Sequence, residues 1–165
     1  MKLNLQSQWA QIKEHIKKNR RKNMFVSIAS VNADNEPTVT PIGSLFLNND
    51  GTGFYFEKFA SKLGRDALTN NKICILSVNN SKWFWLKSLF KGRFDSFPGI
   101  KLYGELGEKR EATEKEKRAM QRRVRKAKGL KGYEYLWKEM SYIREIAFTK
   151  AEAINLGRMT RALNN

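Results

Sequence analysis

The chain has 165 residues, 41% hydrophobic and 29% charged, the balance of a globular domain, which excludes a disordered polymer. Its 32 lysines and arginines oppose 16 acidic residues, a formal charge of +16, which either favours partners bearing phosphate or carboxylate or serves solubility. One cysteine and one histidine exclude a disulfide framework and a His/Cys metal centre. No Ser-His-Asp signature is present. No stretch approaches the roughly 20 apolar residues that span a bilayer, and the basic start lacks an apolar run of signal-peptide length, so the cytoplasm is the expected address.

Leu5, Trp9, Ile12 and Ile16 recur at helical spacing, opposite Lys13, Glu14, Lys17 and Lys18, and predict an amphipathic helix over 5–20. The period then shortens. Met24–Val31 is β-branched and apolar, Asn32–Glu36 is turn chemistry, and Pro37 opens a second strand reaching Leu47, since proline suits a strand's first position. Asn48–Asn49–Asp50–Gly51 is a hairpin signal ahead of a third strand, Thr52–Glu57. A short helix fits Ala60–Asn70, strand four is Lys72–Val78, and residues 79–99 form an insertion before strand five, Ile100–Glu108. Thr113 and Glu116 form a capping box for a helix running to about Lys128, where Gly129 suits its end. Gly132–Met140 predicts another helix, Ile143–Ile154 a last strand, and 155–165 a tail. The expected whole is one domain over 1–165, mainly β with added helices. It consists of six antiparallel strands in a closed or nearly closed barrel over 24–154, with helices within 112–140.

Two basic stretches stand out. Ser81–Phe94 interleaves lysines with Trp83, Phe84, Trp85, Phe90 and Phe94 and holds no acid. It suits an extra core layer, a lid over a site, a dimer contact, an anionic membrane or single-stranded nucleic acid. Arg118–Lys128 is a second acid-free run, a solvated helix face that attracts anions but has no means of reading bases. His15 flanks the first helix's stripe, and Cys74, inside Ile73–Leu76, reads as a buried, inert strand thiol.

The order of pieces from Phe25 to Val78 resembles the FMN-binding half of the pyridoxamine 5′-phosphate oxidase-like family. These are S-I-A-S-V-N (Ser27–Asn32), the turn A-D-N-E-P (Ala33–Pro37), V-T-P-I-G (Val39–Gly43), a hairpin, F-Y-F (Phe54–Phe56) and S-K-L-G-R-D-A-L (Ser61–Leu68). The resemblance implies a split β-barrel that carries FMN at a homodimer interface. It places the phosphate at Ser61, Lys62 and Arg65, the ring along Val39, Thr40 and Pro41, and Phe56 near the cofactor. The competing readings of these residues are a solvated helix start and a plain barrel strand. A helix's first turn has unsatisfied N–H groups and a positive dipole end, which suits phosphate. There are departures. Uncharged residues fill Thr38–Gly43, where the vitamin B6 oxidases set an Arg and a Lys, and Glu57 replaces a neutral donor. The tail offers Arg158 and Arg161 without the oxidases' histidine.

The resulting expectation is an FMN-dependent oxidoreductase acting on an unidentified small molecule, with an anionic one allowed by the basic charge. Trp83, Trp85 and Arg158 are candidates for the lid or substrate side, no residue is nominated as catalytic, and no metal is expected. The alternatives are a non-enzymatic anion or nucleic-acid binding module on the same barrel, and a haem-handling protein.

Overall fold

In the computed structural model, which describes residues 1–59 and 61–163 with Ser61 by its backbone alone, the meander becomes a curled antiparallel sheet with helices on its flanks. Helix α1 (Leu5–Asn23) starts at Asn4, whose side chain accepts from the Gln6 and Ser7 N–H groups. It ends at Met24 in the left-handed region (φ 65°), where the Met24 N–H donates to the Arg20 carbonyl. Arg20, Arg21 and Lys22 in its last turn face the negative end of the helix dipole. Trp9, Ile12 and Ile16 bury the predicted stripe.

The sheet has eight strands where the sequence predicts six. Strand β1 (Lys2–Leu3) pairs with β8 (Tyr142–Ala153), through Ala151 and Glu152. The long second strand breaks in two. β3 (Pro37–Ile42) pairs with β2 (Val26–Val31), whereas β4 (Leu45–Leu47) pairs with β5 (Thr52–Phe56). Gly43 and Ser44 make the corner. A Cβ at Gly43 would lie 3.3 Å from the Met24 carbonyl oxygen. Ser44 Oγ accepts from the Phe56 N–H at 3.1 Å and donates to the Phe56 carbonyl at 3.2 Å, substituting for ladder bonds. With β6 (Lys72–Val78) and β7 (Gly99–Glu111), the order is β3-β2-β6-β7-β8-β5-β4. The two edge strands are therefore consecutive in the chain, and their short corner forces the sheet to curl.

Inside the curl, Val26, Ile28, Tyr55, Ile75, Leu102 and Ile146 meet α1's stripe in one cluster. Each such side chain contributes roughly 1.5–3 kcal/mol by leaving water. A second cluster lies on the other face of β5. There Phe54, Phe56 and Ile143 pack under Met120 of α4 (Glu114–Val124), beside Trp137 of α5 (Lys131–Trp137). Helix α4 has the predicted capping box, Thr113 Oγ1 accepting from the Glu116 N–H and the Glu116 carboxylate from the Thr113 N–H. It ends sooner than expected, at Val124, and a 3-10 turn (Arg125–Ala127) takes the chain on toward Gly129.

Candidate functional site

Helix α2 (Ser61–Asp66) precedes β6 and stands at the Pro37 end of β3. Asp66, 6% exposed, ties it there. Its Oδ2 accepts from Ser30 Oγ at 2.9 Å and from Thr38 Oγ1 at 3.3 Å. Ser30 and Thr38 are cross-strand partners of β2 and β3, and their hydroxyls lie 2.9 Å apart. The clamp thus joins the two segments singled out by the sequence, the S-K-L-G-R-D helix and the P-T-V-T-P strand. Lys62 and Arg65 are exposed on α2, and neither forms an ion pair among the described residues. Ser61's side chain lies outside the described residues.

Along β3 the pleat sorts the candidates. Thr38, Thr40 and Ile42 share the face of Val26, Ile28 and Ser30, whereas Val39 and Pro41 point outward with Ala29 and Ser27. Val39 is 66% exposed. The same outer row continues through Cys74 and Leu76 of β6, since Ala29 opposes Cys74 and Ser27 opposes Leu76. Cys74 is therefore half-buried on the outer surface, not in the core as expected, although burial still pushes its thiol pKa up.

Glu57, whose charge is at odds with an anion site, is withdrawn behind α2. Its carboxylate takes a bidentate pair from Arg144, Nε at 3.0 Å and Nη2 at 3.3 Å, with side chains only 5% and 13% exposed. Lys58 does not pair with it and donates instead to the Tyr135 carbonyl. The pair explains Gly64: a Cβ there would fall 2.0 Å from Glu57 Oε1 and 3.0 Å from Arg144 Nη2. Glu57 therefore serves as the seat on which α2 rests. Ser30, Asp66 and Arg144 were not singled out by sequence reasoning, and Glu57 was noted only as a departure from the family's pattern. The available signal was ionisable residues set into or beside apolar runs, F-Y-F-E for Glu57 and Y-I-R-E-I for Arg144.

The remaining candidates lie elsewhere. Phe56 is buried in the second cluster, 6.2 Å centroid to centroid from Phe46 and covered from α4. The insertion folds as helix α3 (Lys82–Lys91), capped by Ser81. Phe84 stacks on Phe94 at 5.4 Å, and Trp85 meets Phe94 edge-on at 5.3 Å while its Nε1 donates to the Asn79 carbonyl. That half of the insertion is an added core layer. Trp83 on the other half is 73% exposed, as are Leu89 and Phe90 at 66% and 85%. Arg158 is exposed on the 3-10 tail (Gly157–Leu163), which packs on this layer through the Phe94 N–H and Met159 carbonyl. Helix α2 precedes the seven-residue strand β6 and α3 follows it, so Lys62 and Trp83 belong to helices at opposite ends of that strand. His15 is half-buried, and burial, then Lys18, lowers its pKa; among the described residues its Nε2 has no hydrogen-bond partner.

A curled antiparallel sheet whose edge strands are consecutive in the chain, with helices on its flanks, defines a split-barrel protein, and α2 with its exposed cations is clamped beside one of those edges. The model of the pyridoxamine 5′-phosphate oxidase family matches residues 12–152, and the chain belongs to that family, whose split barrel is of the FMN-binding kind. Among solved structures, it is similar to an FMN-binding protein of Syntrophomonas wolfei (16% identity, 93% of this chain and 96% of that one, TM-score 0.60). It is also similar to HupZ of Group A Streptococcus (17%, 90% and 94%, TM-score 0.57). A third likeness is to HutZ, the haem storage protein of Vibrio cholerae (12%, 86% and 94%, TM-score 0.51). At these identities the likeness is one of fold. No curated protein matches the sequence significantly. Among the described residues, no helix is long and apolar enough to cross a membrane.

Proposed function

We propose that the protein binds FMN as a homodimer and acts as a flavin-dependent oxidoreductase on a small molecule, with an anionic one favoured by its net charge. The observation that carries this reading is the clamp: Asp66 holds α2, with its exposed Lys62 and Arg65, against the strand whose Val39 and Pro41 face outward. The residues present fit the cofactor. Lys62 and Arg65 supply charge for the phosphate. The backbone of Val39–Pro41 offers a narrow edge for the ring, and Glu57 does not oppose the phosphate because Arg144 neutralises it out of reach. When bound, the flavin supplies the redox chemistry. The chain's part is to bind and orient it, and the open outer row of β3, β2 and β6 gains cover from a second copy. A cytoplasmic address belongs to the same reading.

Titration calorimetry with FMN and with riboflavin tests it. FMN should bind more tightly, and Lys62→Ala should weaken FMN by about 1.5–3 kcal/mol, the scale of one charge-assisted hydrogen bond, while leaving riboflavin unchanged. Equal affinity for the two ligands, or none for either, refutes the phosphate assignment. A second reading, haem handling, is favoured by the likeness to HutZ. Absorption spectra after adding FMN or haemin separate the two, because a red-brown complex that excludes FMN would replace the flavin reading.

A further inference from the structure

A cleft of about 480 Å³ opens between α1, β4 and the end of α4, well away from α2. The two places mark opposite ends of β3: Asp66 holds Thr38, whereas Arg123 of α4 reaches the Gly43 corner. Helix α1 lines the cleft with Lys13, Lys17 and Arg20, and Leu45–Leu47 of β4 run along it. Its one acid is Glu14, already bridged to Lys17 at 3.2 Å. Arg20 and Arg123 form no ion pair among the described residues.

Arg123 is held in a fixed pose. Its Nη1 donates to the Leu45 carbonyl at 2.7 Å and to the Gly43 carbonyl at 3.2 Å. Its guanidinium carbon sits 3.3 Å from the centroid of the Phe46 ring, which in turn stacks on Phe54 at 5.1 Å. Among the described residues, neither Nη2 nor Nε of Arg123 forms a hydrogen bond. Burial, and then the nearby Arg20, pushes Arg123 down to about 9, and burial and Arg21 lower Arg20. Two partly buried like charges raise the energy of the empty cleft. An anion between them reverses the sign of that interaction, and the planar forks of arginine are well shaped to take a phosphate or carboxylate. A bare inorganic ion would leave most of the volume to water, whereas clefts of roughly 300–1,000 Å³ suit organic ligands. The apolar side chains of Ile16, Phe46 and Leu47 also border the space.

We infer that this cleft is a second binding site, separate from the α2–β3 site, for a small organic anion. Its phosphate or carboxylate lies between Arg20 and Arg123, and its apolar body rests against Phe46 and Leu47. The site places an anionic ligand against the corner where β3 becomes β4, so occupancy also braces the barrel's seam.

The test is calorimetric titration of the whole chain with 1-naphthyl phosphate, with inorganic phosphate and 1-naphthol as controls, in wild type, Arg20→Gln and Lys62→Ala. Because Arg123 ties the strand corner, Arg20→Gln is the deciding variant. Wild type should bind naphthyl phosphate at least tenfold more tightly than either control. Arg20→Gln should weaken it at least tenfold. Lys62→Ala should bind as wild type does. One substitution among 32 basic residues leaves general anion attraction nearly intact, so unchanged affinity in Arg20→Gln overturns the inference. So does absence of saturable binding, or loss of binding in Lys62→Ala. Because the readout lies at α1, failure of FMN to bind leaves the test in force.

Discussion

Replacing Arg144 with methionine keeps most of the side chain's length and removes its charge from beside Glu57. In the native protein the Glu57 carboxylate, 5% exposed, receives two N–H donors at 3.0 and 3.3 Å from this one residue. Arg144→Met therefore leaves a carboxylate buried without a counterion, and removing one partner of such a pair costs about 3–5 kcal/mol. For a chain of this size each kcal/mol lowers the melting temperature by roughly 2–4 °C, so the expected fall is about 6–20 °C. Replacing both partners by apolar groups of similar volume is often neutral or better. Glu57→Met/Arg144→Met should then recover most of the loss. The third bond Arg144 makes, to the Gly107 carbonyl, lies where water can replace it, because Gly107 is exposed. Thermal and urea denaturation followed by circular dichroism measure both variants. A loss under about 1 kcal/mol for Arg144→Met, or a double variant as unstable as the single one, would show that the pair does not seat α2 as described.

Asp66→Ala removes the acceptor shared by Ser30 and Thr38, and should cost about 1–3 kcal/mol and weaken FMN binding. Asp66→Asn, which keeps one acceptor oxygen, should recover much of both, and wild-type behaviour of the alanine variant in calorimetry refutes the clamp. Arg110, then the capping contacts from Thr113, hold the Glu116 carboxyl down at about 2, against an ordinary 4.5. A lowered folded-state pKa contributes stability that is present above pH 4.5 and is lost as the pH falls toward 2. Glu116→Gln should therefore be less stable than wild type at pH 7 by about 1 kcal/mol, and the two melting curves should converge near pH 2; a constant gap across that range contradicts it. Light scattering should give about twice the 19.2 kDa chain mass, and Val39→Glu on the outer row should return a monomer; a monomeric wild type at micromolar concentration refutes the homodimer.

What was legible in the sequence was short-range. The stripe of Trp9, Ile12 and Ile16, the capping box of Thr113 and Glu116, the Asn48–Gly51 turn and the bounds of β6 each follow from neighbours a few residues apart. Their physics is complete within one turn or hairpin. The family's order of motifs pointed to the segments that Asp66 joins, but it grouped Thr40 with Val39 and Pro41, and the pleat sets Thr40 on the opposite face. The sequence could not reveal that a two-residue corner would hand the second strand from β2 to β5, because that depends on how the sheet closes. Nor could it match Arg144 to Glu57 across 87 positions, or Arg123 to the Leu45 carbonyl across 78. A charged side chain among apolar neighbours signals that it needs a partner. Strand register and helix docking decide which partner it meets, and those are properties of the folded chain alone.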